Sequence, residues 1–150
     1  MLLKERLAED MKQAMKEKEA GKLRLSVIRM VRASIKNLEI DRKTELDESG
    51  VLDVLAREVK MRRDSLEEFK KANRPDLVDS LERELDVLMA YLPKQLTEAE
   101  VRSLVQEAVA ATQAVGPKDM GKVMAALMPK VKGCADGKLV NTLVKEQLNQ

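Results

Sequence analysis

Aliphatic residues recur at steps of three and four along almost the whole chain. Val78, Leu81, Leu85, Leu88 and Leu92 are the cleanest run. That spacing lines one face of an α-helix and has no counterpart in a strand, where the period is two. A sheet would also want β-branched and aromatic residues. Here Ile28, Ile35 and Ile40 are the only isoleucines, and Phe69 and Tyr91 the only aromatics. Ala, Glu, Lys, Leu and Arg instead make up 80 of the 150 residues, the composition of long helices. The fold class read from this is all-α. The length allows one domain or two small ones, with a core sufficient for folding without staples.

Helix limits follow from caps and breakers. Residues 2–19 carry Leu3, Leu7, Met11, Ala14 and Met15 on one stripe, and Gly21 is expected to end that helix in a left-handed cap. Residues 22–41 carry Ile28, Val31, Ile35 and Leu38, and the short connection predicts an antiparallel hairpin. Asp41 to Gly50 reads as a loop, with Asp47 the N-cap of a third helix to about Asn73. Its stripe is Leu52, Leu55, Val59, Leu66 and Phe69, interrupted by Arg62; Glu58 and Arg62 form an i,i+4 pair in the favourable order. Pro75 opens a fourth helix and Pro93 is expected to end it. Thr97 and Glu100 have capping-box spacing for a fifth helix with Val101, Leu104, Val105, Ala108 and Ala111. Gly116-Pro117 restarts the chain into a sixth, with Met120, Val123, Met124, Leu127 and Val131, where Pro129 should kink or end it and Gly133 terminates. Asp136 caps a seventh with Leu139, Val140, Leu143 and Leu148. The expected organisation is an N-terminal hairpin plus two longer helices over 1–92, a hinge at 93–96 and a three-helix unit over 97–150.

The residue inventory removes most chemistry. The chain has no His and one cysteine, Cys134, which excludes zinc centres, disulfides and His-dependent nucleophilic catalysis. Gly116-Pro117-Lys118-Asp119-Met120-Gly121-Lys122 matches half of a P-loop, but Val123 stands where Ser or Thr should hold magnesium and no strand precedes it. Carboxylate pairs such as Glu67-Glu68 arise freely in a chain that is 36% charged. No catalytic residue, metal or cofactor is expected. No apolar run approaches the roughly 18 residues of a membrane span. Residues 1–19 mix acids with bases and lack an apolar segment, so together with the single thiol they suggest a cytoplasmic protein.

Net charge is only +2, but it is patterned. Residues 22–43 carry seven bases against Glu39 and Asp41, and 117–145 carry six lysines against Asp119 and Asp136. Between them, 76–107 carry eight acids and three bases. On the second helix Lys22, Arg29, Arg32, Lys36 and Lys43 share a face beside the apolar stripe and could track phosphates. A solvated face neutralised by acids of helices one and three is the plain alternative. The lysines Lys118, Lys122, Lys130, Lys132, Lys138 and Lys145 crowd around two helix N-termini, where free amides favour anions. Asp119 and Asp136 could occupy those amides themselves. The nine methionines, several on helix six, are read as core filler, with an adaptable binding surface as the alternative.

Several segments resemble a known family. They are Asp119-Met120-Gly121-Lys122-Val123-Met124, Leu127-Met128-Pro129-Lys130, Ala135-Asp136-Gly137-Lys138-Leu139-Val140-Asn141 and Leu143-Val144-Lys145-Glu146. With them go Arg24-Leu25-Ser26-Val27-Ile28-Arg29, Val54-Leu55-Ala56-Arg57-Glu58-Val59-Lys60 and Tyr91-Leu92-Pro93. Together they resemble the YqeY-like proteins of the GatB/YqeY family, from near the N-terminus to the end. The resemblance implies a helical N-terminal part and a helical tail similar to the C-terminal domain of GatB. GatB is the B subunit of the amidotransferase that converts Glu-tRNA(Gln) or Asp-tRNA(Asn) to the amide with glutamine as nitrogen donor. In that enzyme the tail contacts the tRNA body, so the resemblance points to Lys122, Lys130, Lys138, Asn141 and Lys145. It implies an association with carbon–nitrogen ligation, but supplies no catalytic residue to this chain and leaves activity of its own uncertain. Residues and resemblance together suggest an accessory module binding tRNA or another structured RNA, with Lys118, Lys132, Arg29, Arg32 and Lys36 as further contacts. Few aromatics mean shape and phosphate readout. No DNA or membrane partner is expected. The alternative is an adaptor docking on an amidotransferase, a synthetase or another enzyme without RNA.

Overall fold

A computed structural model describes residues 1–150. The chain forms seven α-helices: α1 (Leu3–Lys16), α2 (Lys22–Arg42), α3 (Glu48–Lys71), α4 (Pro75–Met89), α5 (Glu98–Thr112), α6 (Met120–Val131) and α7 (Gly137–Leu148). It divides into two compact units, Met1–Leu92 and Pro93–Gln150.

Local chemistry sets most helix starts. Asp47 accepts the Gly50 N–H at the head of α3, and Thr97 with Glu100 forms a reciprocal capping box on α5. Asp136 accepts the Lys138 N–H at α7, and Pro75 occupies the first turn of α4. Gly133, at φ 73°, follows α6 in the left-handed conformation.

In the first unit, three pairs show that α1 and α2 run antiparallel: Lys4 with Glu39, Met11 with Arg32, and Glu17 with Arg24. Ser34 with Glu58 and Met30 with Arg62 set α3 antiparallel to α2. Leu7, Val27, Ile28, Val31, Val51, Leu55 and Leu88 form the centre of the core. Burying each leucine or isoleucine contributes about 1.5–3 kcal/mol. Tyr91 closes one end. Its hydroxyl donates to Asp10, and the Arg6 guanidinium lies 4.8 Å from its ring centre while donating to the Ala90 carbonyl. In the second unit, α5, α6 and α7 meet through Val101, Val105, Val123, Leu127, Val140 and Val144.

Two sequence expectations are corrected and a third is refined. The left-handed residue after α1 is Lys18 at φ 54°, not Gly21. Gly21 sits at φ −96°, and its need for glycine is a close approach: a Cβ there would lie 2.2 Å from the Ala14 carbonyl oxygen. α4 ends at Met89, before Pro93, in a turn closed by Tyr91 N–H to Leu88 C=O. The buried face of α3 keeps Leu55 and Val59 of the expected stripe and widens to Val51, Val54, Glu58 and Arg62, with Leu52 packed at its edge. Arg62 therefore does not interrupt that face toward solvent but lies within it. Residues 93–96 form no helix. Gln95 donates to the Gly133 carbonyl and the Leu96 N–H to the Cys134 carbonyl, which ties this segment to the second unit.

Candidate nucleic-acid interface

α2 buries Val27, Ile28, Val31 and Ile35, and turns Arg29, Arg32 and Lys36 to solvent. Two acids of this unit are held by other bases. Glu17 pairs with Arg24 at 3.1 Å, and Glu39 pairs with Lys4 while accepting the Leu46 N–H at 2.7 Å. The Lys4 hydrogen bond, aided by Leu46, holds the Glu39 carboxyl below the usual carboxylate range. Arg32 rests on an uncharged acceptor, the Met11 sulfur at 2.9 Å. Lys4, Arg32 and Lys36 rim an open groove of about 440 Å³ between α1 and α2, together with Leu7, Ala33, Ile35 and Glu39.

In the second unit Lys118, Lys122, Lys130, Lys138, Asn141 and Lys145 are exposed and Lys132 is half-buried. α6 carries Lys122 and Lys130. On α7, Lys138, Asn141 and Lys145 follow at three and four residues and so share a face. Lys122 reaches the Thr112 carbonyl at 3.5 Å, while Lys132 and Lys138 have partners within the protein. Asp136 caps the start of α7, whereas Asp119 turns back to a loop amide and makes no cap on α6. Asp119 accepts the Val115 N–H at 2.9 Å, and Asp136 accepts the Lys138 N–H at 3.1 Å. The first of these bonds lowers the Asp119 carboxyl below its ordinary range. The charges of Lys122 and Lys118 also help to lower the Asp119 carboxyl, so Asp119 offsets part of the lysine charge. The α2 stripe and the lysine cluster lie in separate units and are described separately.

Two features escaped the sequence reading. Lys4 joins the α2 stripe from another helix, so no spacing announces it. A buried ionic cluster lies between α2, α3 and α4. Arg62 Nη1 donates to Glu58 Oε2 at 2.7 Å and to the Glu58 carbonyl at 3.1 Å; its Nε donates to Glu84 Oε1 at 3.3 Å. Ser34 Oγ donates to the second Glu58 oxygen at 2.9 Å. No buried side-chain polar atom is left without a partner, which suits a clamp between three helices rather than a poised acid or base. The one available signal was the charged i,i+4 pair on an otherwise apolar face. No group of three or more His, Cys, Asp or Glu could hold a metal ion, and no helix is long and apolar enough to cross a membrane. The half P-loop follows the helix α5, not a strand.

The family model described as Yqey-like protein matches residues 4–148. Relatives named "Altered inheritance of mitochondria protein 41, mitochondrial" match much of the chain. That of Pyrenophora tritici-repentis is 33% identical over 144 residues, 94% of this chain and 78% of the relative. That of Lachancea thermotolerans is 39% identical over 102 residues, 66% of this chain and 54% of the relative. That of Kluyveromyces lactis is 43% identical over 86 residues, 57% of this chain and 45% of the relative. The matched stretch thus spans about half the length of the latter two. These relatives correct the expected cytoplasmic location, because their names place them in mitochondria. The expectation rested on the composition of residues 1–19 and one thiol, and neither separates one thiol-reducing compartment from another.

Proposed function

From the premise that the chain belongs to the YqeY-like protein family, we propose that it is a helical accessory module that binds tRNA, or RNA of similar shape, through phosphate contacts. The context is tRNA-dependent amidation, as the similarity to the GatB tail suggests. One observation carries the reading. The segment 117–145 carries six lysines against only Asp119 and Asp136, so it keeps a net positive surface that includes the exposed Lys130 and Lys145. Counterion release then makes affinity fall steeply with salt. The near absence of aromatic side chains suits shape and backbone readout rather than base stacking. Lys130 and Lys145 are exposed, so replacing both by Ala tests the reading without touching the core. The expected result is weaker tRNA binding and a salt slope shallower by roughly 0.7–0.9 per lost phosphate contact. Unchanged affinity and slope would remove the lysine cluster from the account.

The second reading is an adaptor that docks on another protein of aminoacylation or amidation. α4 favours it: only Leu88 is fully buried there, while Val78, Leu81 and Leu85 stay half-buried beside the exposed acids Asp79, Glu82 and Asp86. A stoichiometric protein partner, lost on Leu81→Asp and recovered in the absence of RNA, would select it.

A further inference from the structure

We propose that the groove between α1 and α2 is a binding site for a small organic phosphate ester. Arg32 and Lys36 hold the phosphate, and Leu7, Ala33 and Ile35 receive the apolar part. The groove's volume, about 440 Å³, lies within the range of small-ligand sites. Three cations and one carboxylate rim it. The carboxylate does not oppose an incoming anion freely, because Glu39 is already held by Lys4 and the Leu46 N–H. Arg32 and Lys36 stand four residues apart on α2, hence on one face. Neither forms a direct salt bridge, although the Lys36 charge helps to lower the Glu39 carboxyl beside it. Arg32 is satisfied only by the Met11 thioether, a weak acceptor that a phosphate oxygen would displace. Buried Leu7 and Ile35 give the groove an apolar floor that inorganic phosphate cannot use. That floor is why an ester, rather than the free ion, fits the site.

The phosphate ester could come from a nucleotide or from a lipid headgroup, and the two arms of the test separate them. The inference shares Arg32 and Lys36 with the RNA reading and otherwise stands apart from it. Small esters probe the groove without RNA, and Lys130 and Lys145 probe RNA binding without the groove, so either can fail alone.

Amide chemical shifts of the full chain are followed while titrating inorganic phosphate, adenosine 5′-monophosphate and short-chain dihexanoyl phosphatidic acid separately. The expected result is saturable shifts confined to residues 4–7 and 32–39. One ester should bind about tenfold more tightly than inorganic phosphate, and which ester does so names the source. Arg32→Ala and Lys36→Ala should each weaken that ester at least fivefold. Arg29→Ala, which lies outside the groove, should leave it unchanged. Both variants replace exposed side chains, and preserved shifts in α5–α7 and in the core of α3 verify that they fold. No saturable shift with either ester overturns the proposal. So does an ester affinity no better than that of inorganic phosphate, or one indifferent to Arg32→Ala and Lys36→Ala.

Discussion

Replacing Arg62 by Ala should unfold the first unit more readily than any loss of apolar contact at its surface. The guanidinium is only 6% exposed and makes charge-assisted bonds to Glu58, equally buried, and to Glu84. Taking it away leaves the Glu58 carboxylate among Val54, Leu55 and Val59 with Ser34 as its remaining side-chain partner. Breaking a buried ion pair from one side costs about 3–5 kcal/mol, because one charge stays behind uncompensated. Domains of this size are stable by about 5–15 kcal/mol in all, so roughly a fifth or more of the stability is at risk. With a urea slope near 1.5 kcal/mol/M, the midpoint should fall by roughly 2–3 M. Arg62→Lys keeps the charge but loses the fork that reaches two carboxylates at once, and should fall between the two. Urea unfolding by circular dichroism, with amide exchange in α2 and α3 to assign the transition, measures the effect. A midpoint for Arg62→Ala within about 0.5 M of wild type would refute the clamp.

Other outcomes follow from the same structure. Gly21→Ala should destabilise the α1–α2 hairpin by about 1–3 kcal/mol, since the new Cβ would press on the Ala14 carbonyl; an unchanged thermal midpoint would contradict that close approach. Thr97→Ala should cost about 1 kcal/mol in the second unit through loss of the capping box, read as a lower midpoint for α5–α7. Burial, with the Asp10 hydrogen bond and charge, pushes the Tyr91 phenol well above its ordinary value. A raised pKa means that the folded state holds this proton more tightly than the unfolded state. Its contribution is therefore complete below about pH 10 and is lost as pH rises beyond it. Tyr91→Phe should flatten the alkaline limb of stability against pH, and a limb as steep as wild type would count against the Tyr91–Asp10 contact.

What the sequence revealed of the fold was the part fixed by local chemistry. The caps at Asp47, Thr97 and Asp136 and the proline start of α4 act within one turn, so a single sequence displays them. What it concealed was set by neighbours distant in the chain. Gly21 looks like a helix stop, and only the packing of Ala14 explains why a side chain is forbidden there. α3 has adjacent apolar residues at Val51–Leu52 and Val54–Leu55, so its phase was ambiguous until α2 and α4 were seen to select Val51, Glu58 and Arg62. For the candidate interface, the spacing of Arg29, Arg32 and Lys36 was visible because one helix carries all three. The groove was not, because Lys4 and Leu7 come from α1. Whether Asp119 and Asp136 cap their helices was open in the sequence; Asp136 does, and Asp119 instead accepts the Val115 N–H.

The most direct test of the account is binding of the purified chain to deacylated total tRNA across a range of salt concentrations. The account predicts saturable binding whose logarithm falls linearly and steeply with the logarithm of salt, with a shallower slope when Lys130 and Lys145 are both replaced by Ala. No binding at low salt, or binding indifferent to salt, would contradict it.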